Sequence, residues 1–300
     1  MVDICKKCVN TLDERKGFCG PCYNFLNDKD HAKYTSTQFF QEEFDEFMRD
    51  RKKIIFAYSG GLDSTVVLNK VNKLCHQQGV DLFTMTVDYG FKGKKTLENI
   101  RKIIEFEQLE KNHHQINISQ DKIENSTIFE YYKFFLKQGK LPCGPNCNKI
   151  MDGIYREFLK EQGEEILMTG GDTPKYNSLL GRFSIFWEQP GMTILRGGPS
   201  FGLTKNINRA YVKENSLPWE DPGCGGYDTD CLIPGAILMQ KFPNKKSNHE
   251  EILNKIPVII EYFAERVRWG IIERNDALEK ISSIEVSDKQ SFDEVMDLIK

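Results

Sequence analysis

The sequence lacks the long apolar stretch that a membrane protein needs. None of its uninterrupted apolar runs approaches the roughly 18 residues that cross a bilayer. Its amino terminus also has no pattern of a secretory signal peptide. We therefore expect a cytoplasmic protein that has no contact with a membrane.

A large excess of basic charge is missing as well. The chain has 41 Lys and Arg residues against 44 Asp and Glu residues, which gives a formal net charge of -3. The chain as a whole therefore does not have the charge of a nucleic-acid binder. The local cluster of Lys92, Lys94 and Lys95 is typical of a solvated surface, with a site for a polyanion as the alternative.

Two common phosphate-binding patterns, G-x-x-x-x-G-K-[ST] and G-x-G-x-x-G, do not occur in the glycine-rich stretch of residues 54–67, IIFAYSGGLDSTVV. Its first residues are typical of a strand buried in a parallel sheet, and the apolar residues after the glycines recur at helical spacing. The stretch therefore predicts a strand-to-helix turn. Free N–H groups and the helix dipole favour anions there, and Gly60 and Gly61 would let a phosphate approach the backbone.

The segments that follow predict the rest of the sheet. Residues 80–88 and 114–118 are predicted strands, and residues 97–109 are a predicted helix with an apolar side that includes Ile100, Ile103, Ile104 and Phe106. Residues 166–168 form a further apolar segment. This alternation predicts an α/β fold with a doubly wound parallel sheet, in which ligands bind at the carboxyl ends of the strands.

Cysteine, by contrast, is plentiful, with nine residues. Disulfides would not persist in the cytosol, so these thiols indicate metal binding or chemistry. Two C-x-x-C pairs, Cys5 with Cys8 and Cys19 with Cys22, stand ten residues apart and predict a tetrahedral structural zinc site. A redox or iron site is the alternative.

Four more cysteines lie in segments rich in Gly, Pro, Asn and Asp: Cys143, Cys147, Cys224 and Cys231. Such segments are typical of loops, where a thiol can be a nucleophile, a persulfide carrier or a cluster ligand. A second zinc site or a loop without function is the alternative. Cys75, on the apolar helix after the glycine-rich turn, is expected to be an inert core residue.

The segment SGGLDS at residues 59–64 matches the SGGxDS signature of the PP-loop ATP pyrophosphatases, whose HUP-like domain this chain resembles. The resemblance implies that ATP and Mg²⁺ are bound. It implies that the loop holds the pyrophosphate, that Asp63 orients the loop or a magnesium ion, and that the carboxyl edge of the sheet contributes the remaining contacts. The ATP-site residues implied are Ala57, Ser59, Gly60, Gly61, Leu62, Asp63, Ser64, Thr65, Asp88, Gly170, Gly171 and Asp172.

Some of these assignments have alternatives. Asp88 would face the adenine or ribose, or else serve as a turn or cap residue. Gly171 stands where the thiolases of this superfamily usually have histidine, which weakens any role that needs an imidazole there. Asp172 stays a candidate for contact with magnesium or substrate.

Two PP-loop families resemble this chain over most of its length. The segments CKKC, CGPC, YSGGLDST, TVDYGFKGKKTLENI and RVRWGIIERNDALEKI are similar to those of the N-acetyl sugar amidotransferases of surface-polysaccharide and nonulosonic acid synthesis. The turn at residues 171–176 is similar to the GE-x-x-x-x-Y turn of these enzymes, with Asp in place of Glu. The cysteine layout instead resembles that of the iron-sulfur tRNA thiolases, which have an N-terminal zinc knuckle, a central cysteine pair and a late cysteine after a segment like LTKNINRAYVKENSLPW. This chain departs from it with C-x-x-x-C in place of C-x-x-C and with one additional late cysteine.

Both resemblances imply that ATP adenylates a carbonyl or amide oxygen and that a nucleophile then displaces AMP. In the first hypothesis ammonia from a separate glutaminase attacks a nucleotide-linked N-acetyl sugar. In the second, sulfur is transferred to a tRNA base or a small metabolite, and Cys143, Cys147 and Cys224 or Cys231 hold a [4Fe-4S] cluster or a persulfide. A non-catalytic, zinc-bearing nucleotide-sensing module is the third hypothesis.

The predicted organisation has three parts. Residues 1–50 form a zinc knuckle and a linker helix over residues 39–47, residues 51–240 form the PP-loop domain, and residues 241–300 form a helical extension. We expect two helices in residues 250–300. Their dense apolar set is expected to belong to the core or to a homodimer contact.

Overall fold

The computed structural model describes residues 5–10, 19–29, 31–34, 36–123, 126–142, 145–222, 231–242, 249–282 and 289–297. Two of the predicted site residues, Cys143 and Cys224, lie outside these ranges. None of the described helices is both long and apolar enough to cross a membrane.

A six-stranded sheet forms the centre of the protein, in the order β3-β2-β1-β6-β10-β9. Its strands are β1 (Lys53–Ala57), β2 (Asp81–Asp88), β3 (His113–Asn117), β6 (Ile166–Thr169), β9 (Phe186–Gln189) and β10 (Met192–Arg196). Five of them are parallel, and β9 is an antiparallel edge strand. The chain runs outward from β1 in both directions, which confirms the predicted doubly wound sheet.

Two small hairpins stand outside this sheet. They consist of β4 (Lys122–Ile123) with β5 (Ser126–Thr127), and of β7 (Lys175–Asn177) with β8 (Arg182–Ser184).

Helices cover the sheet and extend it at both ends. They are α1 (Gly20–Leu26), α2 (His31–Tyr34), α3 (Thr37–Met48), α4 (Leu62–Gln78), α5 (Lys94–Phe106), α6 (Ile128–Lys137), α7 (Pro145–Gln162), α8 (Lys205–Glu214), α9 (Leu232–Lys241), α10 (His249–Lys255), α11 (Pro257–Arg268), α12 (Arg274–Ser282) and α13 (Lys289–Asp297), with a 3₁₀ turn over Gly198–Phe201. The predicted linker helix is α3, which confirms that expectation.

Burial follows the predicted pattern for the central strand and the helix after it. Ile54, Ile55 and Phe56 of β1 are at most 3% exposed, as expected for a strand covered on both faces. Cys75 of α4 is 1% exposed, and burial raises the pKa of its thiol to about 12, so it is the inert core cysteine that the sequence predicts.

Two sequence expectations are wrong. Phe106 is 47% exposed, whereas Glu107 beside it is buried because the side-chain amides of Asn69 and Asn72 donate to its carboxylate, at 2.6 and 2.9 Å. The described part of residues 250–300 contains four helices rather than two, α10 to α13. Pro257 ends α10 and begins α11, since proline cannot donate the hydrogen bond that would continue a helix.

The C-terminal apolar set belongs mainly to the core of the chain. Ile252, Ile256, Ile259, Ile260 and Phe263 are at most 4% exposed. They pack in the same cluster as the cysteines of the N-terminal knuckle, so the two ends of the chain share one core.

Candidate functional site

The glycine-rich turn between β1 and α4 is folded around its own hydrogen bonds. The side chains of Ser59 and Ser64 share a hydrogen bond of 2.9 Å, and Thr65 Oγ1 donates to the carbonyl oxygen of Gly61 at 2.9 Å. Gly60 has φ of +86°, and a Cβ there would lie 2.7 Å from a side-chain carbon of Ile100. The turn therefore needs glycine at residue 60, and it presents the N-terminus of α4 at the carboxyl edge of the sheet.

Asp63 links this turn to α8. Its carboxylate accepts a hydrogen bond of 2.7 Å from Asn208 Nδ2 and forms an ion pair with Lys205. The side chain of Lys205 is only 8% exposed, so the pair is largely shielded from solvent. The contact fits the predicted role of Asp63 in orienting the loop, and a role with magnesium stays a prediction.

Two further residues contact the backbone of the turn from outside the motif. Lys92 Nζ donates to the carbonyl oxygen of Ser59 at 3.1 Å, and Trp219 Nε1 donates to that of Gly60 at 3.0 Å. Lys92 is therefore a partner of the turn rather than a purely solvated lysine, and a polyanion site there stays a prediction. Lys94 and Lys95 instead form ion pairs with Glu294 and Glu220.

A second turn, after β6, packs directly on the first. Ala57 and Thr169 are paired in register, so both turns leave the sheet at the same level. A Cβ on Gly170 would lie 2.3 Å from the Cα of Ser64, which only glycine avoids. The predicted ATP-site residues of the two turns are therefore adjacent.

Asp172, in this second turn, is buried among arginines. It is 4% exposed, it accepts a hydrogen bond of 3.1 Å from Arg266 Nη2, and Arg196 Nη2 lies 3.9 Å from the same carboxylate oxygen. Burial opposes ionisation, but Arg266, Lys205 and Arg196 outweigh it and hold the pKa of the Asp172 carboxyl below its usual value. The carboxylate is therefore charged at neutral pH, and the partners that the structure shows for it are cations of the protein.

Asp88 ends β2 at the same edge of the sheet. Its carboxylate accepts a hydrogen bond of 2.8 Å from the N–H of Gly90, and the residue is 9% exposed. The side chain of Asp88 therefore stabilises the turn, which is the alternative that the sequence analysis gives for this residue. Contact of its backbone with the adenine or ribose stays a prediction.

The four N-terminal cysteines form a site that fits a metal ion. Cys5, Cys8, Cys19 and Cys22 are buried, and their sulfur atoms all lie within 4.8 Å of one another, with 3.6 Å between those of Cys8 and Cys19. Four thiolates around a tetrahedral zinc ion at about 2.3 Å lie about 3.8 Å apart. This arrangement could therefore hold the predicted zinc ion.

Two C-terminal arginines contact this four-cysteine site. Arg274 Nε donates to the carbonyl oxygen of Cys8 at 3.2 Å, and a hydrogen bond joins Arg268 to the sulfur of Cys22. Hydrogen bonds with Cys8 and Arg268, against the opposing effect of burial, lower the pKa of the Cys22 thiol to about 5. The hydrogen bond between Cys8 and Cys22 raises the pKa of the Cys8 thiol, so the shift favours a thiolate ligand at Cys22 alone.

The structure describes two of the four later cysteines. Cys147 lies in the first turn of α7, and Cys231 directly precedes α9 and forms a β-bridge with Lys92. Cys231 therefore lies close to the loop after β2, at the carboxyl edge of the sheet where the sequence predicts ATP. Within the described ranges, the N-terminal four are the one set of three or more candidate ligands close enough for a metal. A cluster with Cys143 or Cys224 stays a prediction.

Sequence reasoning missed Lys205, Asn208, Trp219 and Arg266 as partners of the two turns. These residues lie between 94 and 159 positions from the groups that they contact. The one available signal was that they occur in the segments LTKNINRAYVKENSLPW and RVRWGIIERNDALEKI, which resemble known families.

Comparisons with known proteins give a domain match and several similar chains. Residues 30–137 match the sequence profile of the PP-loop domain family. An uncharacterized protein of Methanocaldococcus jannaschii is 24% identical over 97% of this chain and 97% of its own length. Argininosuccinate synthase of Natronomonas pharaonis is 27% identical, over 61% of this chain and 44% of its own length.

Among solved structures, the U34-tRNA thiolase NcsA from Methanococcus maripaludis with its [4Fe-4S] cluster is similar with a TM-score of 0.47 and 13% identity. That match covers 96% of this chain and 91% of the thiolase chain. The matching profile and the SGGLDS turn at the end of β1 together show a PP-loop domain in residues 30–137 of this chain.

Proposed function

We propose that the protein is an ATP-dependent enzyme that forms AMP and pyrophosphate, adenylates a carbonyl or amide oxygen, and replaces that oxygen with nitrogen. The acceptor is a nucleotide-linked N-acetyl sugar, as in the amidotransferases of surface-polysaccharide synthesis. The observation that carries the proposal is the SGGLDS turn, which is already folded and has Lys92 on its backbone.

This turn favours the departure of pyrophosphate. In the first step the acceptor oxygen attacks the α-phosphorus of ATP, and the bond from that phosphorus to the bridging oxygen breaks. The negative charge passes to pyrophosphate, which the first N–H groups of α4 and the hydroxyls of Ser59, Ser64 and Thr65 would bind. The N–H groups are held in place before the reaction and stabilise the developing charge without reorganising, whereas the hydroxyls of Ser64 and Thr65 must first turn away from the carbonyl oxygen of Gly61.

The second step replaces the activated oxygen. Ammonia attacks the carbon that bears the adenylated oxygen, the carbon–oxygen bond breaks, and AMP leaves with that oxygen. After loss of a proton an acetamido group has become an acetamidino group. The ammonia is expected to come from a separate glutaminase subunit, and co-purification with such a protein would support this assignment.

Pyrophosphate exchange into ATP, with an N-acetyl nucleotide sugar as acceptor, tests the first step. Ser59→Ala removes a hydroxyl donor, and Asp63→Ala removes the carboxylate that is expected to orient the loop. Each should lower the exchange rate by about 10²–10³-fold, the effect that loss of one preorganised group of this kind has. Asp50→Ala, which changes an exposed carboxylate, is the matched control. Thermal unfolding of each variant verifies that the fold persists, and exchange at the wild-type rate in folded Asp63→Ala would exclude the proposal.

Sulfur transfer to a tRNA base or small molecule is the second candidate, and the position of Cys231 next to Lys92 favours it. Metal and acid-labile sulfide should be measured together with a visible spectrum on protein purified without oxygen. Iron, sulfide and a broad absorption that Cys231→Ala or Cys143→Ala abolishes would support sulfur transfer. Zinc alone in colourless protein would support nitrogen transfer, and Cys75→Ala, a buried thiol of the core, is the control.

The remaining alternative is a nucleotide-sensing module without turnover. Tight binding of ATP, with no exchange in the presence of any acceptor of either class, would support that alternative over both enzymes.

A further inference from the structure

A cavity of about 400 Å³ lies where the N-terminal knuckle, the turn after β6 and the C-terminal helices meet. This volume is in the range of small-molecule sites. Lys7, Phe25 and His31 line it from the knuckle side, Asp172 from the β6 turn, and Arg268 and Trp269 from the end of α11. The cavity is thus built jointly by the PP-loop domain and by the parts of the chain on both sides of it.

One wall of the cavity consists of aromatic rings that hold one another in place. Phe25 and Trp269 meet edge to face at 4.8 Å between centroids, and Tyr34 lies 6.0 Å from Trp269. Phe25 and Tyr34 are at most 6% exposed, so the rings cannot turn freely. Such a rigid apolar wall suits the face of a sugar or a base.

The charged groups around the cavity are mainly positive. Lys7 Nζ lies 5.4 Å from the centroid of Phe25, and Arg268 contributes a guanidinium that also contacts the sulfur of Cys22. The carboxylate in the lining, that of Asp172, is engaged by Arg266. In addition, Nε2 of His31 is buried and has no hydrogen-bond partner among the described residues. A ligand with an anionic group would complement this lining.

Residues that line the cavity are close in the chain to residues that contact the SGGLDS turn. Asp172 belongs to the turn that packs on Ser64, and Thr204, which lines the cavity, directly precedes Lys205, the partner of Asp63. The neighbours of the cavity along the chain are therefore residues that contact the SGGLDS turn. The turn after β6 and the start of α8 thus join the cavity to the turn that is proposed to bind ATP.

We propose that this cavity binds the acceptor of the reaction, a small molecule in which a phosphate is attached to a ring that packs on the aromatic wall. The inference rests on the proposed adenylation. Lys7 and Arg268 hold the phosphate, Trp269 and Phe25 hold the ring, and the rest of the molecule extends past Asp172 toward the loop. The N-terminal knuckle thus contributes directly to the recognition of the substrate.

Calorimetric titration of the full chain, loaded with metal and with α,β-methylene ATP, tests this site. N-Acetylglucosamine 1-phosphate and uridine 5′-monophosphate serve as the probes, because they carry a phosphate on a sugar and on a nucleoside. Lys7→Gln should weaken binding of the preferred probe about tenfold or more, since it removes a charge-assisted contact. Lys6→Gln, an exposed lysine one residue away in the same knuckle, should leave the affinity unchanged.

Trp269→Leu is a second variant, which should weaken binding of the ring while α,β-methylene ATP still binds as in the wild type. Preference for one probe identifies the ring that the wall accepts. Equal affinity in Lys6→Gln and Lys7→Gln, or no binding of either probe to the wild type, would overturn the proposal. If only a tRNA binds, and Lys7→Gln weakens that binding, the proposal is also overturned, because the ligand is then a macromolecule.

The failure of this site is distinguishable from the failure of the proposed chemistry. If pyrophosphate exchange depends on Asp63 but probe affinity does not depend on Lys7, the proposal for the cavity is rejected and the proposed adenylation stands. Probe binding that depends on Lys7, with no exchange in the presence of any acceptor, rejects adenylation.

Discussion

Two turns with consecutive glycines leave neighbouring strands of the sheet, and each carries an aspartate. Gly60 and Gly61 follow β1, and Gly170 and Gly171 follow β6. In the first turn Gly60 packs closely against Ile100, whereas a Cβ on Gly61 would meet only Ser59 Oγ, at 3.4 Å. In the second turn both glycines allow a close approach, to Ser64 and to the guanidinium of Arg196. The first turn therefore leaves room beside Gly61, where the sequence predicts the pyrophosphate, and the second is packed against the protein at both glycines.

The two aspartates differ in the same way. The side chain of Asp63 is 18% exposed and pairs with Lys205, whereas that of Asp172 is 4% exposed and lies against Arg266. Asp63 thus sits next to the solvent-accessible edge where ATP would bind. Asp172 mainly joins distant segments of the chain, from the β6 turn to α11.

The largest expected effect on stability is that of Asp172→Asn. Loss of the carboxylate leaves buried guanidinium groups without compensation, which should lower the free energy of unfolding by about 3–5 kcal/mol. The side chain of Asp63 is more exposed, so Asp63→Asn should cost clearly less. Chemical denaturation of the two metal-loaded variants measures the difference, and equal losses would remove the distinction between the turns.

The Asp172→Asn effect should also depend on pH. Because the folded protein lowers the pKa of Asp172, its ionisation stabilises the fold above the ordinary aspartate pKa of about 3.9 and loses that effect as pH falls further. The difference between wild type and Asp172→Asn should therefore be constant above about pH 5 and shrink in acid. A difference that grows in acid would contradict this assignment.

Gly170→Ala should have the next largest effect. Its Cβ would collide with the backbone of Ser64, so the two turns must separate, at a cost of about 1–3 kcal/mol and with a lower exchange rate. Gly171→Ala meets the movable side chain of Arg196 and should cost less. Gly153→Ala, in α7 with no heavy atom within 4 Å of the added methyl, is the control and should be neutral or stabilising.

Metal removal should disturb the second turn more than the first. Arg268 contacts Cys22, and Arg266, two residues earlier in the same helix, contacts Asp172. A chelator or Cys22→Ser should therefore lower the melting temperature of the wild type and have a smaller effect in Asp172→Asn. Hydrogen exchange of the amides in the two turns measures how far metal removal disturbs each turn. Equal loss of protection in both would contradict a coupling between the metal site and the second turn.

The smallest expected effect is that of Lys92→Met on the first turn. Loss of one cation beside the loop should weaken binding of α,β-methylene ATP by about tenfold, with little change in the melting temperature. Lys94→Met, which breaks an exposed ion pair with Glu294, is the control and should leave the affinity unchanged. Equal affinities in the two variants would show that Lys92 does not contact the nucleotide.

Much of the fold could be predicted because its signals are local. The apolar run of β1, the turn residues after it and the C-x-x-C pairs each lie within a few positions, so spacing alone indicates strand, turn and metal site. The burial of Phe106 was predicted wrongly. Its neighbour Glu107 takes the buried position because two asparagines of α4 satisfy its carboxylate, and periodicity carries no information about such partners.

Two of the boundaries of the C-terminal helices have a local signal in the sequence. Pro257 separates α10 from α11, and Gly270, with φ of +71°, follows the end of α11. Both residues are standard helix boundaries. The apolar pattern on both sides of these residues favours longer helices, which is why the prediction has two helices instead of four.

The sequence by itself determined the parallel sheet, the SGGLDS turn and the set of four cysteines, since each depends on residues close together in the chain. Only the tertiary structure decided what surrounds them: Lys205 on Asp63, Arg266 on Asp172, and the cavity between the knuckle and α11. These contacts join residues about 90 to more than 200 positions apart. Such pairs are set by how helices pack on the sheet, which no local pattern specifies.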